Sequence, residues 1–452
     1  MNIDNKFDCI VIGAGVSGIH SALLLAKQNK RVLLLESTLY IGGRARSFID
    51  KQSGDSIDNG QHALMGCYTH FLSILSTLNT DNLLHRQHHL SVPFMYSDGH
   101  SDILKADVFS GALGVAFGIL NLKKLSLSEK ISALYFAIRI RLGFAKSGSL
   151  TAFEFLLSEN QSAHSIEILW TPIILATLNG NPKEVAASLF VQVLTLAFLG
   201  KKDASTLILP KVGLSDLLSP FPDWLAKHNG ICKLGESVEE IVFRDNRPSA
   251  VITKSGEMYH SNSIIMAIPP KSIKRILHKE CKEYEFYEAL DQYTFSPIIS
   301  VYLWIDKEFP DLEFAALLGT NTQWVFHKNA FMHNNLSSTL LSCTVSAGND
   351  SIDDEGASIA IQCLQEIKLC FPSVKDATLL HWKVIKEKHA TFLATPETEN
   401  KRHSTYTDIE GLFIAGDWTD TKLPATLEGA AISGYHAANA VLTSKSTVFS
   451  HS

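Results

Sequence analysis

Three glycines and one acid near the start of the chain have the residue types and the spacing that bind a dinucleotide. Gly13 permits a sharp turn, Gly15 lets the backbone approach a phosphate, and Gly18 lets the following helix pack closely. Glu36, at the end of the apolar run 32–35, can accept hydrogen bonds from ribose hydroxyls. The alternative is an ordinary turn beside a surface glutamate, and it requires that the glycines, the apolar runs and the acid occur at this spacing by chance.

Regular elements must hold these residues in place, and the neighbouring sequence predicts them. The apolar run 9–12 is typical of a buried parallel strand, and residues 19–27 predict a helix with one apolar face. The start of that helix offers free backbone N–H groups to a phosphate. Strand, turn, helix, strand and acid occur in the order of a Rossmann-like unit, which serves nicotinamide and flavin cofactors alike.

A second set of residues favours a flavin. Gly42 and Gly43 allow a tight loop, from which Arg44 can pair with a phosphate oxygen. Near the other end of the chain, Gly416 and Asp417 follow an apolar strand, and Asp417 can accept hydrogen bonds from ribityl hydroxyls. The structural alternative for the Gly42–Arg44 segment is a surface basic turn. The structural alternative for Asp417 is a helix or turn cap.

The segment after Asp417 completes the predicted cofactor site. A helix that begins near Leu427 can direct its N–H groups at a flavin carbonyl. Glu428, in the first turn of that helix, either touches the ring or has a structural role. These segments together predict one FAD bound by both ends of the chain. No cysteine follows Cys370, so we expect the FAD to be held non-covalently.

These segments resemble the flavin amine oxidase and phytoene desaturase superfamily. A narrower resemblance, to the squalene-associated hydroxysqualene dehydroxylases of hopanoid pathways, is carried by residues 58–62 (DNGQH), 66–68 (GCY), 415–419 (AGDWT) and 423–430 (LPATLEGA). The resemblance spans nearly the whole chain. The chain departs from it at Lys211-Val212-Gly213, where the family more often carries a Gly-Gly pair.

The resemblance implies an α/β fold in which a Rossmann-like FAD-binding domain is interleaved with a partly helical, α+β substrate domain. It assigns residues 1–90, 205–270 and 400–444 to the FAD-binding domain, 91–204 and 271–399 to the substrate-binding domain, and 445–452 to a flexible tail. Residues 91–204 are expected to be largely helical, and 295–345 to form strands. The resemblance also implies that the backbone at Val238 contacts the adenine.

The resemblance further implies an FAD-dependent oxidoreductase of squalene and isoprenoid lipid metabolism, which removes the allylic hydroxyl of hydroxysqualene to give squalene. Hydroxide is a poor leaving group, so an acid must protonate it. Asp58 and His62 are the catalytic candidates, because both are polar and lie in the family-specific loop. In the alternative interpretation Asp58 only fixes the loop and His62 caps a helix.

Other functions stay open. A carotenoid-type desaturase takes hydride from a polyprenyl chain on the same scaffold, and a non-catalytic flavin or lipid-binding protein binds FAD without turnover. An amine oxidase is disfavoured, because neither an aromatic cage nor a lysine beside the flavin can be placed. The chain has no second glycine fingerprint for NAD(P)H, which favours a separate reductase or a quinol as electron donor.

Composition limits the partners and the compartment. The 452-residue chain has a formal net charge of −6, which argues against nucleic acid as the main partner. Its 7 cysteines form no CxxC pair, as expected in a reducing cytoplasm. No metal-ligand spacing stands out among the 18 histidines, so we expect no metal. Neither a signal peptide nor a transmembrane helix is expected.

One stretch suits a membrane surface. Residues 108–122 are almost wholly apolar, and basic residues follow against a single acid, Glu129: Lys123, Lys124, Lys130, Arg139, Arg141 and Lys146. This pattern predicts either a face that rests on anionic lipid or a core helix with a solvated basic face. Because a polyisoprenoid hardly dissolves in water, the implied substrate favours peripheral contact with the cytoplasmic membrane.

Overall fold

The computed structural model describes residues 5–106, 111–277, 283–332 and 338–444, so the predicted tail 445–452 lies outside the described residues. The described ranges form twenty strands, numbered in chain order as β1 (Cys9–Ile12), β2 (Val32–Glu36), β3 (Ser47–Ile49), β4 (Ser56–Asp58), β5 (Leu64–Met65), β6 (Leu84–Arg86), β7 (Ser91–Tyr96), β8 (Ser101–Lys105), β9 (Leu207–Pro210), β10 (Ile231–Leu234), β11 (Val238–Arg244), β12 (Arg247–Thr253), β13 (Met258–His260), β14 (Ile264–Met266), β15 (Phe295–Ile305), β16 (Phe314–Leu318), β17 (Trp324–His327), β18 (Thr339–Ser346), β19 (Leu379–Phe392) and β20 (Leu412–Ile414).

The same ranges contain sixteen α-helices, which are α1 (Val16–Lys27), α2 (Thr69–Leu78), α3 (Ala112–Asn121), α4 (Leu127–Arg141), α5 (Ala152–Ser158), α6 (Ala163–Ser165), α7 (Thr171–Leu178), α8 (Ala187–Val193), α9 (Leu214–Leu218), α10 (Phe221–Lys227), α11 (Pro270–Ile276), α12 (Glu285–Ala289), α13 (Lys328–Phe331), α14 (Gly356–Cys370), α15 (Pro396–Asn400) and α16 (Leu427–Thr443). Two π-helical turns, Ile166–Trp170 and Leu194–Phe198, join α6 to α7 and extend α8.

A five-stranded parallel sheet gathers segments that are far apart in the chain. Its strand order is β10-β2-β1-β14-β20. The strand β1 lies in the middle, with Ile10 paired to Leu33 on β2 and to Ile264 on β14. Its apolar side chains are fully buried, as expected for a parallel strand covered on both faces. The predicted Rossmann-like α/β architecture is thereby confirmed, although α1 begins at Val16 rather than at Ile19.

Two helices from opposite ends of the chain pack together against this sheet. In α16, a Cβ on Gly434 would stand 2.3 Å from the backbone oxygen of Ser17 in α1, so the two helices approach at backbone distance. Ser21 reinforces the contact, because its hydroxyl donates to the oxygen of Gly434 at 3.1 Å. This packing brings the segment that precedes α16 close to the glycine turn that precedes α1.

A seven-stranded mixed sheet forms the second large layer, in the order β19-β15-β18-β17-β16-β7-β8. The expected strands between residues 295 and 345 are present as β15 to β18. The expectation that residues 91–204 are largely helical is wrong at its start, where β7 and β8 form an antiparallel hairpin on this sheet. Their buried positions alternate strictly, which is the period of a strand. Helices occupy the rest of the segment from Ala112 onward.

Candidate active site

A cavity of about 760 Å³ is lined by residues of both large sheets. Of the predicted cofactor-binding residues, the lining includes Gly13, Gly15, Glu36, Gly43, Arg44, Val238, Gly416, Asp417 and Leu427. Of the predicted catalytic residues it includes His62. The remaining wall is mainly apolar and aromatic, with side chains such as Phe295, Phe314 and Phe326. One cavity therefore contacts both the predicted dinucleotide-binding residues and a wall suited to a hydrocarbon.

The three glycines of the turn have different environments. Gly13 has φ +104°, and a Cβ there would stand 2.5 Å from the oxygen of Ala267. A Cβ on Gly18 would stand 2.0 Å from the oxygen of Gly13, so Gly18 packs the helix onto the turn and lies behind the cavity wall. At Gly15, by contrast, none of the described residues has an atom within 4 Å of the Cβ position. Gly15 thus leaves the open space that a phosphate needs beside the start of α1.

Glu36 stabilises this turn as well as lining the cavity. Its Oε2 accepts a hydrogen bond from the amide of Ala14 at 2.8 Å, and its Oε1 accepts from the amide and hydroxyl of Thr38, both at 2.9 Å. The carboxylate is therefore held at the carboxyl end of β2, where a ribose is expected in a Rossmann-like site.

Arg44 and Asp417 contact each other across the cavity wall. The guanidinium Nη2 donates to both oxygens of the carboxylate, at 2.7 and 2.8 Å, and Nη1 donates to the oxygen of Ala390 at 2.5 Å. Burial lowers the pKa of Arg44, but the charge and hydrogen bonds of Asp417 outweigh it, so the pKa is raised. Arg44 was predicted to bind a phosphate oxygen, and the described structure places its charge on the residue predicted to bind the ribityl chain.

A buried arginine that sequence reasoning missed holds the loop after Gly416. The Arg402 guanidinium donates to the backbone oxygens of Asp417 at 3.1 Å and of Leu423 at 2.9 Å, and also to that of Thr419. It pairs with Glu399 at 3.0 Å, and burial raises the pKa of Glu399 against the opposing effect of Arg402. No local motif marks Arg402, because its acceptors are carbonyls that any sequence supplies.

Asp58 is buried among structural partners, and among the described residues it is not part of the cavity wall. Its Oδ1 accepts from the Ser47 hydroxyl at 2.7 Å and from the Leu214 amide at 3.0 Å. Its Oδ2 accepts from the Lys328 ammonium at 3.3 Å. The carboxylate is thus positioned to fix the loop, as in the alternative that the sequence left open.

Lys328 is a second residue that sequence reasoning missed. Its side chain is 1% exposed, and its ammonium donates to Gln61 Oε1 at 3.0 Å in addition to Asp58. A lysine had not been placed near the flavin site, and the structure now brings one behind the loop 59–62. Its location at the first residue of α13 could not be inferred from a motif, because its partners lie in a distant segment.

His62 lines the cavity and does not cap a helix. Its Nδ1–H donates to the oxygen of Gly60 at 2.7 Å, so the proton lies on Nδ1 in the neutral ring. Burial lowers the pKa of His62, and the Gly60 hydrogen bond and the charge of Asp58 oppose this only in part. His62 is therefore neutral near pH 7 and is a weak candidate for proton donation.

Glu428 has a structural role. Its carboxylate accepts from the amides of His70 at 2.9 Å and Phe71 at 2.8 Å, which are free donors in the first turn of α2. Burial raises the pKa of Glu428, and these amide hydrogen bonds act in the opposite direction. The acid joins α16 to α2 and points away from a ligand in the cavity.

A different carboxylate, Glu387 on β19, lines the cavity wall. Its Oε2 accepts from the side-chain amide of Asn59 at 3.3 Å, and it lies directly opposite Ile298 on β15. Through Asn59 it contacts the loop that carries His62. Sequence reasoning missed it because β19 has a mixed polar pattern in which a glutamate is unremarkable.

The spacing of the histidines predicts no metal site. His85 pairs with Glu313 at 2.5 Å, away from the cavity. Within the described ranges, no group of three or more His, Cys, Asp and Glu side chains could hold a metal ion.

Comparison with known proteins identifies relatives over nearly the whole chain. The family described as flavin containing amine oxidoreductase matches residues 16–442. A hydroxysqualene dehydroxylase of Rhodopseudomonas palustris is 28% identical over 96% of this chain and 97% of its own length. A 15-cis-phytoene desaturase of an Oncidium hybrid cultivar is 24% identical, over 96% of this chain and 78% of its own length.

A solved structure shows the same fold. The cyclohexylamine oxidase of Brevibacterium oxydans superimposes with a TM-score of 0.68 over 96% of this chain and 98% of its own, at 16% sequence identity. At that identity the likeness supports the architecture alone. The architecture of this chain is thus shared with a solved oxidase.

Proposed function

This chain belongs to the flavin-containing amine oxidoreductase family, and on that basis we propose that it removes the allylic hydroxyl of hydroxysqualene reductively to give squalene. The chain is an FAD-dependent oxidoreductase, and its relatives act on polyisoprenoids. The observation that carries the proposal is that one cavity joins the dinucleotide-binding residues to an apolar, aromatic wall, with the carboxylate of Glu387 among its lining residues. The product belongs to the squalene and hopanoid branch of isoprenoid metabolism.

The cavity fits FAD, as the open space at Gly15 and the uncapped start of α1 indicate. In the proposal, Gly15 and the first amides of α1 bind the pyrophosphate, and Gly13 and Gly18 give the turn its shape. Glu36 binds the ribose, and the backbone at Val238 contacts the adenine. When bound and reduced, FAD supplies a hydride.

At the other end of the site, Asp417 binds ribityl hydroxyls, and Gly416 and Gly43 let the chain approach the cofactor closely. Arg44 pairs with Asp417 and lines the cavity beside Gly43. In the proposal its guanidinium also binds a phosphate oxygen of the cofactor. The start of α16 at Leu427 lines the cavity, and in the proposal its first backbone N–H groups, other than the Gly429 amide that Thr426 caps, bind a flavin carbonyl. Thus both ends of the chain hold the same cofactor.

The proton for the leaving hydroxyl needs a donor that contacts the cavity. Asp58 is engaged by Lys328, Ser47 and the Leu214 amide, and His62 is neutral. We assign proton donation to Glu387, whose Oε2 accepts from Asn59 at 3.3 Å and whose Oε1 accepts from the amide of His389 at 3.4 Å. Asp58 and His62 then act by positioning the loop, through Gln61 and Gly60.

An exposed apolar surface supports a second part of the proposal, contact with an anionic bilayer. One face of α4 exposes Leu127 at 70%, Ile131 and Tyr135 at 57% each, and Ile138 at 55%, at helical spacing. Leu113 and Phe117 on α3, and Leu142 and Phe144 after α4, extend this apolar face. Lys123, Arg141 and Lys146 are exposed beside it and suit anionic headgroups.

The apolar face covers part of the stretch that the sequence marked, although residues 108–110 lie outside the described residues. Among the described helices, none is long and apolar enough to cross a membrane. Peripheral contact lets the enzyme collect a water-insoluble substrate from the lipid.

The reaction is tested by anaerobic single turnover. The holoenzyme is reduced with dithionite, the excess is removed, and hydroxysqualene is added in detergent. We expect reoxidation of the flavin with formation of one squalene per flavin. A flavin that stays reduced would contradict the proposal. The Glu387→Gln variant should still bind hydroxysqualene. Its flavin should be reoxidised at least ~100-fold more slowly than in the wild type, because general acid catalysis usually accelerates a reaction by that factor or more.

A polyprenyl desaturase is the second candidate, because phytoene desaturases also match almost the whole chain. It requires the opposite electron flow, so oxidised enzyme with phytoene would reduce the flavin and yield a more unsaturated product. A protein that binds FAD but responds to neither substrate would be non-catalytic. The natural electron donor, in either case, is proposed to be a separate reductase or a quinol.

A further inference from the structure

Three polar side chains cross the apolar wall of the cavity in one row. Ser300 on β15 pairs directly with Thr344 on β18, and Thr344 pairs directly with Trp324 on β17. Residues directly opposite each other on neighbouring strands point to the same face of a sheet and lie side by side. All three line the cavity. Of the neighbouring residues on this face that line the cavity, Ile298 and Phe326 are apolar, and Ser346, directly opposite Ile298, carries a further hydroxyl.

Two members of this row have unused hydrogen-bonding groups. The Thr344 hydroxyl and the Trp324 indole N–H are buried, and neither has a partner within the part of the chain that the structure describes. Buried polar groups in folded proteins nearly always have a partner, so two such groups in direct register require an explanation. An oxygen atom that accepts from the indole and exchanges a hydrogen bond with the hydroxyl would satisfy both.

The row begins beside the loop that carries His62. The Ser300 hydroxyl oxygen lies 3.4 Å from the position of a Cβ on Gly60. Glu387 is a diagonal neighbour of Ser300, because Glu387 pairs with Ile298 and Ser300 pairs with Ile385 on the same two strands. The Ser300 end of the row is therefore next to the carboxyl group to which we assign proton donation, and Thr344 and Trp324 lie one and two strands farther from β19.

We propose that Ser300, Thr344 and Trp324 form an oxygen-binding subsite that recognises the hydroxyl of an allylic polyisoprenoid alcohol. The inference rests on the proposed function, because it names how that same site selects its substrate. Since the two unpartnered atoms are buried, the alcohol engages them after the side chains of Thr344 and Trp324 rotate about χ1, which redirects both groups without moving the strands. A hydrocarbon has no oxygen to place there, so the subsite favours an alcohol over a polyene.

Binding to the oxidised holoenzyme tests this without turnover. Hydroxysqualene and squalene are titrated separately in detergent, and the Kd ratio is measured from the change in flavin fluorescence. The wild-type chain should prefer the alcohol by at least about fivefold, and Thr344→Val and Trp324→Phe should each lower that preference about threefold or more, as the loss of one hydrogen bond predicts. Ser300→Ala provides a third, independent variant.

Thr177→Val is the matched control. Thr177 lies on the helical side of the same cavity, but its hydroxyl already donates to the oxygen of Ile173 at 2.7 Å. This variant should keep the wild-type preference. If Thr344→Val and Trp324→Phe also keep it, the subsite is wrong.

Single turnover of reduced wild-type enzyme separates the two proposals. If the enzyme forms squalene while the row variants keep the wild-type preference, only the subsite fails. If the wild type neither prefers nor converts hydroxysqualene, the proposed function fails, and the subsite for that alcohol fails with it.

Discussion

Arg44 and Asp417 are 373 positions apart in the chain and form a two-pronged ion pair, with N–O distances of 2.7 and 2.8 Å. The pair joins the loop after β2 to the loop after β20 at the wall of the cavity. Each partner comes from one of the two segments that the sequence assigned to a dinucleotide. The pair thus holds the two parts of the cofactor site together.

Asp417→Asn should weaken FAD binding about tenfold, because one charge-assisted hydrogen bond contributes ~1.5–3 kcal/mol. The change keeps the shape of the side chain but removes the charge that Arg44 holds in place. FAD titration of the apoprotein, followed by flavin fluorescence, measures the effect. Glu397→Gln, at an exposed pair with Lys401, is the control and should bind FAD like the wild type. Equal affinity in both variants would contradict the role of Asp417.

Gly15→Ala and Gly18→Ala should separate cofactor binding from folding. A methyl group at Gly15 meets no protein atom among the described residues, so stability should change by less than ~0.5 kcal/mol while FAD affinity falls at least ~10-fold. At Gly18 the same methyl stands 2.0 Å from the oxygen of Gly13, so the variant should lose ~1–3 kcal/mol of stability or more.

Thermal melts of the apoproteins and FAD titrations check both glycine variants. A Gly15→Ala protein that binds FAD normally would show that no phosphate approaches this glycine.

Lys328→Met should destabilise the fold by ~3–5 kcal/mol, because it leaves the Asp58 carboxylate buried without its cation. The double variant Lys328→Met/Asp58→Asn should recover much of this loss, since no unpaired charge remains. Urea unfolding of the wild type, both single variants and the double variant measures the coupling. Strictly additive losses would show that the two residues do not act as a pair.

The fold should lose stability as the pH falls from 6.5 to 4, in part through His20. Burial between α1 and α16 lowers the pKa of His20 to about 4, against an ordinary value of 6.5. In this window the unfolded chain binds more protons than the folded chain, so stability rises with pH and is lost as pH falls. The full effect is ~3 kcal/mol, from 1.36 kcal/mol for each pH unit.

His20→Gln provides the comparison, since its amide can still donate to the oxygen of Ala431, the partner of His20 at 2.6 Å. The difference in unfolding free energy between the wild type and this variant should shrink with falling pH by about the same ~3 kcal/mol. A difference that does not depend on pH would exclude His20 as the source.

Substitution of Ile131, Tyr135 and Ile138 by serine should reduce binding to anionic vesicles at least ~10-fold, because the exposed apolar face of α4 is removed. Vesicle sedimentation measures the effect, and added salt should weaken wild-type binding. Ile361→Ser/Leu369→Ser is the control, because these residues on α14 are 52% and 56% exposed but belong to a helix outside residues 108–146. Equal losses in both variants would indicate non-specific adsorption.

Local sequence determined the parts of the fold in which one residue type is physically required. The glycine turn is predictable because a positive φ at Gly13 and the contact at Gly18 exclude a side chain. The parallel strands are predictable because their apolar runs are buried on both faces. The two chain ends could be assigned to one FAD for the same reason, since each carries its own short pattern.

The tertiary structure alone decided which polar residues are available for chemistry. Asp58 and His62 share a loop in the sequence, yet Asp58 is paired with Lys328 from 270 positions away, and His62 lines the cavity. Glu387 reaches the same loop from 328 positions beyond Asn59. Such contacts depend on the packing of distant strands, and local patterns contain no information about the partner. A charge is therefore visible in the sequence, but whether it is neutralised or free to act is settled only by the fold.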